Sequence, residues 1–357
     1  MSRVPKSTSE ISTAWLTEVL SAAGRLQSEV VSLEFEPIGA GVGLMGELSR
    51  LHLQYAGAES LPATMVAKCA AQNENRQVAQ ILDFYNREAD FYNRIGNQCS
   101  LSVPESYHAD VEPENYDFVL LMQDLGSVSP PDQLVGASRA ETFSAISGIA
   151  GVHAAWWGVD DQEHDWMYDM MSPAEAEKMQ TMIYMPALEP ALEKFSYMLT
   201  DEMKRVCRSV GERYPNYWSN LVGQDTFLHG DYRQDNMLYL DDGADALVMD
   251  WQISGRGKSV FDVAYFMCQS VPSELRREIE QEVLSFYVGK LSELGVSYAM
   301  EDCWNDYRRI ILGCLIYPIT VCGSLDTANE RGKALAECML SRNLAAIADL
   351  DCADLLI

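Results

Sequence analysis

The stretch Phe227 to Gln252, FLHGDYRQDNMLYLDDGADALVMDWQ, holds two short apolar runs around a polar tip. Asn236–Leu240 (NMLYL) and Ala246–Met249 (ALVM) read as strands, and Asp241-Asp242-Gly243 has the composition of the turn that joins them. The side chains that chemistry uses collect at the ends of these runs: His229, Asp231, Arg233, Asn236 and Asp250. Carboxylates and an amide oxygen arriving at one hairpin base suit a hard cation such as Mg²⁺. That assigns Asn236 and Asp250 to a metal and leaves Asp231 to act on a hydroxyl. An Asp-Asn-rich turn alone would say little. Five polar positions and two strands in this order say more.

Toward the N-terminus, Ser12–Ala23 has apolar residues at helical spacing, with Ser12 or Thr13 as a cap and Gly24 as a stop. Val30–Ile38 and Leu48–Tyr55 read as strands, separated by a segment in which Gly41, Gly43 and Gly46 match GxGxxG. A dinucleotide fingerprint requires a helix after its glycines; here a strand follows, so that reading fails on context. A glycine-rich hairpin over nucleotide phosphates fits, because backbone N–H groups approach phosphates only where side chains are absent. An ordinary glycine-rich hairpin fits as well. Thr64–Ala70 is a third strand carrying Lys68 inside an apolar run, a position that calls for a partner, a ligand or an edge strand. The stripe Val78, Ile81, Leu82, Tyr85, Ala89 and Tyr92 predicts one helix over 77–95, with Glu88 on it and Asp90 as the neighbouring carboxylate. Val103–Tyr107 and Asp117–Met122 read as two more strands, ended by Gln123-Asp124-Leu125-Gly126.

From Pro130 onward the pattern turns helical. Ala140–Trp157 is one helix, whose His153 reads as a satisfied core residue. Trp156–Met198 is crowded with Trp, Met and Tyr, which build either cores or adaptable apolar pockets. After the hairpin, Ser254–Gly257 reads as a loop, Asp262–Phe266 opens a helix, and Ser273–Leu294, Met300–Tyr317 and Arg331–Leu350 read as three more.

The chain has 357 residues, enough for two lobes, with 48% hydrophobic residues. Its 53 Asp and Glu against 26 Lys and Arg give a net charge of −27, which argues against a nucleic-acid partner. Acidic walls for a cationic substrate would explain such a charge. So would a generally acidic surface, and the spread of the acids along the whole chain favours the surface. No apolar run reaches membrane-spanning length. The first twelve residues lack the apolar core of a signal peptide, and the nine cysteines show no paired CxxC spacing, so reduced thiols and a cytoplasmic location are expected. Composition leaves the oligomeric state open.

The order Asp231-x-Arg233-x-x-Asn236, then a strand, then Asp250 resembles the catalytic loop and metal-binding Asp of kinases. With His-Gly-Asp and Asp-Trp-Gln, it is similar to the small-molecule branch that holds the aminoglycoside phosphotransferases, choline kinases and ecdysteroid-kinase-like proteins. The resemblance implies an α+β, two-lobed protein-kinase-like fold. Residues 1–122 would form an antiparallel-sheet lobe, 123–126 a hinge, and 127–357 a mostly helical lobe with the catalytic loop and acceptor pocket. It implies ATP and Mg²⁺ as cofactors and a small-molecule hydroxyl as acceptor. Gly41, Gly43, Gly46 and Lys68 would hold the phosphates, Glu88 would fix Lys68, and the backbone of Gln123 and Leu125 would hold adenine. Asp231 would orient the hydroxyl and take its proton. Arg233, in the place of the catalytic-loop Lys, would neutralise the migrating phosphoryl. Asn236 and Asp250 would hold the metal, and Asp262 would cap its helix or bond the catalytic loop. The acceptor is expected to be a largely apolar alcohol. A cationic amino-sugar or amino-alcohol is the alternative, and a nucleotide-binding pseudokinase the alternative to an enzyme. Tyr232-Arg233-Gln234 departs from the small or acidic residues of many antibiotic kinases, which weighs against an aminoglycoside.

Overall fold

Three alternating runs and two fully apolar ones supply the strands of the first half of the chain. In the computed structural model, which describes residues 3–38, 45–73, 75–126, 128, 130–160, 162, 164–240, 245–324 and 329–356, these become β1 (Val30–Ile38), β2 (Gly46–Tyr55), β3 (Thr64–Ala70), β4 (Ser106–Val111) and β5 (Phe118–Gln123). They pair antiparallel in the order β1-β2-β3-β5-β4, so β3 is central and is buried almost throughout. One face of the sheet carries helix α1 (Thr13–Ala22), whose Leu16, Val19 and Leu20 pack with Leu51, Leu53, Met65 and Leu121. Ser12 caps α1 by accepting from the Trp15 N–H, and Gly24 leaves it at φ +69°.

The helix predicted over 77–95 is two helices, α2 (Asn75–Ile81) and α3 (Phe84–Arg94). Asp83 breaks it at φ +58°, its carboxylate held by Asn86 Nδ2 at 2.7 Å. The apolar stripe keeps its phase across the break, so periodicity does not register it. β4 starts at Ser106, beyond the predicted Val103; Pro104 has no N–H to give a ladder.

The chain divides into two compact units. Met1–Cys99 and Val103–Val128 form the first, and Met249–Ile253 clusters with them. Phe91 of α3 stacks on Trp251 with ring centroids 3.8 Å apart, and Arg87 donates to the Ile253 carbonyl.

The second unit is mostly helical: α4 (Arg139–Ala155), α5 (Pro173–Lys178), α6 (Met185–Lys194), α7 (Asp201–Trp218), α8 (Phe261–Gln269), α9 (Ser273–Glu293), α10 (Met300–Gly313), α11 (Ile316–Ser324) and α12 (Glu330–Asp349). A π-helical turn, Met179–Tyr184, joins α5 to α6. Its two small ladders are β6 (Asp225–Leu228) with β9 (Gly255–Lys258), and β7 (Met237–Leu240) with β8 (Asp245–Val248). α8 is buried at every position and is the unit's core. The predicted turn at 241–243 lies outside the described residues.

Two expectations change here. Ser254–Gly257, expected to be a loop, contributes to strand β9. Its glycines serve close approach instead of a turn. A Cβ on Gly255 would sit 2.4 Å from the Tyr168 carbonyl oxygen, and one on Gly257 2.7 Å from Leu228 Cδ1. The helix expected over 300–317 ends at Gly313, and α11 follows. Pro318 has no N–H for the Cys314 carbonyl, which the Tyr317 N–H takes instead. Among the described residues no helix is long and apolar enough to cross a membrane.

Candidate active site

In the first unit the chemistry gathers on Lys68. β3 holds it opposite Leu48 and Leu120, deep in the sheet, so the edge-strand reading of this lysine is excluded. Its Nζ lies 2.8–2.9 Å from both Glu88 oxygens and 2.8 Å from Asp250 Oδ1. Burial pulls the ammonium pKa down, but the Asp250 and Glu88 carboxylates outweigh it and the net shift is upward. Burial raises the Glu88 carboxyl to about 7, against the pull of Lys68. Asp250 is less buried, accepts also from Gln252 Nε2 at 3.2 Å, and sits at φ +63°. A non-glycine residue held in the left-handed region is a mark of over-determined surroundings. Asp90, the second carboxylate on this helix, pairs with Arg94 one turn away and does not meet Lys68.

Gly46 opens β2 beside this group. A Cβ there would lie 3.2 Å from Lys68 Cε and 3.1 Å from the Cys69 carbonyl oxygen, so only glycine leaves the lysine stem its full room. Gly41 and Gly43 lie outside the described residues. Gln123 ends β5, and its N–H already donates to the Glu105 carbonyl at 2.8 Å. Of the two backbone candidates for adenine, Gln123 thus lacks a free donor. Leu125 follows between Asp124 and Gly126, where Arg50 donates to the Asp124 carboxylate and to the Gly126 carbonyl.

In the second unit the His229–Asn236 loop is pinned from three helices. Asp262 of α8 accepts the His229 and Gly230 N–H groups at 2.8 and 2.9 Å, so the second of the two roles expected for it holds. Gly230 stands at φ +82°, a conformation that favours glycine. His153 is buried and bridges Asp262 (3.1 Å) and the Tyr287 hydroxyl (2.8 Å), as a satisfied core residue does. The Asp231 N–H donates to His229 Nδ1, so His229 braces the loop. Tyr232 donates to the Ala145 carbonyl of α4, and Tyr317 of α11 donates to the Gly230 carbonyl.

Asp231 itself is only 8% exposed. Its Oδ2 accepts from Asn236 Nδ2 at 2.9 Å and its Oδ1 from the Tyr265 hydroxyl at 2.8 Å; Arg233 Nε lies 3.2–3.3 Å from both oxygens. Arg233 also reaches Asp235 at 3.2 Å. Burial lowers the guanidinium pKa and these carboxylates more than restore it. Because Asn236 gives its NH₂ to Asp231, it presents its amide oxygen, the atom a hard cation takes. Sequence reasoning missed Tyr265 and Tyr317. Tyr265 stands three residues after Asp262 on one helix face, a spacing that pointed to it; Tyr317 had no local signal.

Among the described residues no group of three or more His, Cys, Asp and Glu gathers as a metal site. The amide oxygen of Asn236 and the carboxylate of Asp250 are each the kind of hard oxygen donor that Mg²⁺ takes.

The fold is similar to that of choline kinase from Cryptosporidium parvum, with a TM-score of 0.55, 11% identity and 91% of each chain covered. It is also similar to wild-type aminoglycoside 2′-phosphotransferase-IIIa in its GDP complex, with a TM-score of 0.54, 12% identity, and 88% of this chain and 94% of that one covered. The chain thus has an α+β protein-kinase-like fold. Over 127 residues it is 31% identical to acyl-CoA dehydrogenase family member 10 of Mus musculus; the match takes in 30% of this chain and 12% of that protein. A model of the ecdysteroid kinase-like family matches residues 40–297, more than half of the chain. The chain belongs to the ecdysteroid kinase-like family.

Proposed function

We propose that this chain is a cytoplasmic, ATP- and Mg²⁺-dependent phosphotransferase that moves the γ-phosphoryl group to a hydroxyl of a small, largely apolar molecule. The observation that carries the reading is Asp231, a buried carboxylate oriented by three donor side chains. Such a group orients an acceptor hydroxyl and takes its proton as the phosphoryl moves. Lys68, fixed by Glu88, positions the α- and β-phosphates, and Gly46 keeps room for its stem. Asn236 and Asp250 would hold Mg²⁺, which when bound neutralises charge on the β- and γ-phosphates. Arg233 stabilises charge on the migrating phosphoryl. The GDP complex of the aminoglycoside 2′-phosphotransferase supports nucleotide binding by this fold.

For the acceptor, two features of the second unit support an apolar compound. Met182, Met185 and Tyr197 leave apolar surface exposed between α5 and α7. Of the acids that precede α5 in the chain, Asp169 is paired with Arg256 at 2.7 Å and Asp160 accepts the Gln162 N–H within its own turn. Neither is set aside for a cationic substrate.

The test is calorimetric titration of Mg·ATP into the wild type, Asn236→Ala and Asp250→Ala. Mg²⁺ takes few protein ligands, so each loss is expected to weaken Mg-dependent binding by about tenfold or more. Unchanged affinity and unchanged metal dependence in both variants would overturn the assignment.

A further inference from the structure

A carboxylate has about four lone-pair positions. At Asp231 one is taken by Asn236 Nδ2, one by the Tyr265 hydroxyl, and Arg233 Nε lies against both oxygens. One position is left for the hydroxyl of a substrate. Arg233 and Asn236 come from the same short loop as Asp231, so they move with it. Tyr265 alone among the three comes from a different element, helix α8.

That helix is well fixed. Tyr265 is 1% exposed, stacks on Phe261 and packs against the ring of Tyr317 with centroids 4.3 Å apart. Asp262, one turn earlier, holds the two amides before Asp231. Tyr317, from α11, donates to the Gly230 carbonyl at 2.8 Å. Backbone and carboxylate are thus fastened to α8 separately: Asp262 sets the path of the chain, and Tyr265 sets the rotation of the Asp231 side chain.

We propose that Tyr265 is a positioning residue, whose O–H to Asp231 Oδ1 fixes the carboxylate plane so that its remaining lone pair meets the acceptor hydroxyl. The inference rests on the base role given to Asp231 above. Tyr265 exchanges no proton with substrate: its hydroxyl stays a neutral donor, held so by burial and by the Asp231 charge, both of which raise its pKa well above the ordinary value.

The test is a double-mutant cycle on the full chain with Asp231→Asn and Tyr265→Phe, read as steady-state Mg·ATP turnover to water, with rates normalised to the fraction that binds Mg·ADP. Phe keeps the ring and its packing, so the KM for ATP is expected within about twofold of wild type while kcat falls about 10- to 100-fold. In the Asp231→Asn background Tyr265→Phe is expected to add nothing, because it acts only through the carboxylate. An unchanged kcat, or the same loss in both backgrounds, overturns the proposal. Wild-type turnover by Asp231→Asn instead overturns the base assignment, so the two failures are distinct. A second readout needs no turnover: 3-fluorotyrosine placed at 265 is expected to change its ¹⁹F shift on Asp231→Asn, and an unmoved resonance contradicts the contact.

Discussion

Lys68 and Glu88 are buried, and each is costly alone. Their pairing within 2.9 Å makes the burial tolerable, and Asp250 adds a second carboxylate to the same ammonium. Glu88→Gln removes one counter-charge and leaves Lys68 leaning on Asp250. ATP affinity is then expected to fall by about tenfold, with kcat falling as well, in a titration set beside steady-state rates. Retained affinity and rate would show that Asp250 alone suffices to place the lysine. Much of this group was legible in the sequence: a lysine inside an apolar strand, a glutamate on the next helix, an aspartate after a hairpin. The direct Lys68–Asp250 contact was not, because 182 residues separate the two and no periodicity links them. Tyr265 was half legible, as its spacing from Asp262 gives its face but not its target.

The elements around Asp231 succeed through shared polar work. Asp262 accepts two backbone N–H groups and His153, all in the dry interior of the second unit. Asp262→Asn replaces one acceptor oxygen by a donor, so one of these amides loses its partner. The cost is expected to be about 2–4 kcal/mol in chemical denaturation, with activity falling alongside. In the first unit Arg50 ties β2 to the segment after β5 through Asp124. Burial raises the Asp124 carboxyl pKa, but the Arg50 hydrogen bond and the Gly126 N–H outweigh it, and the group ends below its usual value. A depressed carboxyl stabilises the fold above its unfolded pKa, and that stability goes as pH falls through the folded value. Asp124→Asn is therefore expected to cost about 1–2 kcal/mol at neutral pH, and the gap to wild type is expected to close below about pH 4. A gap independent of pH would exclude the ion pair as its source. Elements that the sequence misjudged failed for local reasons: a left-handed Asp83 hides inside a continuous stripe, Pro318 divides one apolar run into two helices, and the glycines of β9 mimic a loop.

Over the whole molecule the charge is −27; Met182, Met185 and Tyr197 leave apolar surface exposed, and earlier in the chain Asp169 is paired with Arg256 and Asp160 with the Gln162 N–H. Burying an apolar alcohol there gains about 25 cal/mol for each Å² without desolvating several charges. In competition an apolar alcohol is expected to be phosphorylated faster than a matched polycationic one, with little effect of added salt. A polycation that wins, and loses that advantage at high salt, would assign the acidic surface to the substrate.

The proposed reaction is transfer of the ATP γ-phosphoryl group with Asp231 as base. The most direct measurement is the rate at which wild type and Asp231→Asn move label from γ-labelled ATP to a screen of hydroxyl compounds, with Mg·ATP affinity determined for both. Transfer by the wild type, a loss on the order of 10²–10⁴ in the variant and nearly equal affinities are the expected result. Undiminished transfer by a folded Asp231→Asn variant, or a wild type that does not bind Mg·ATP, would contradict it.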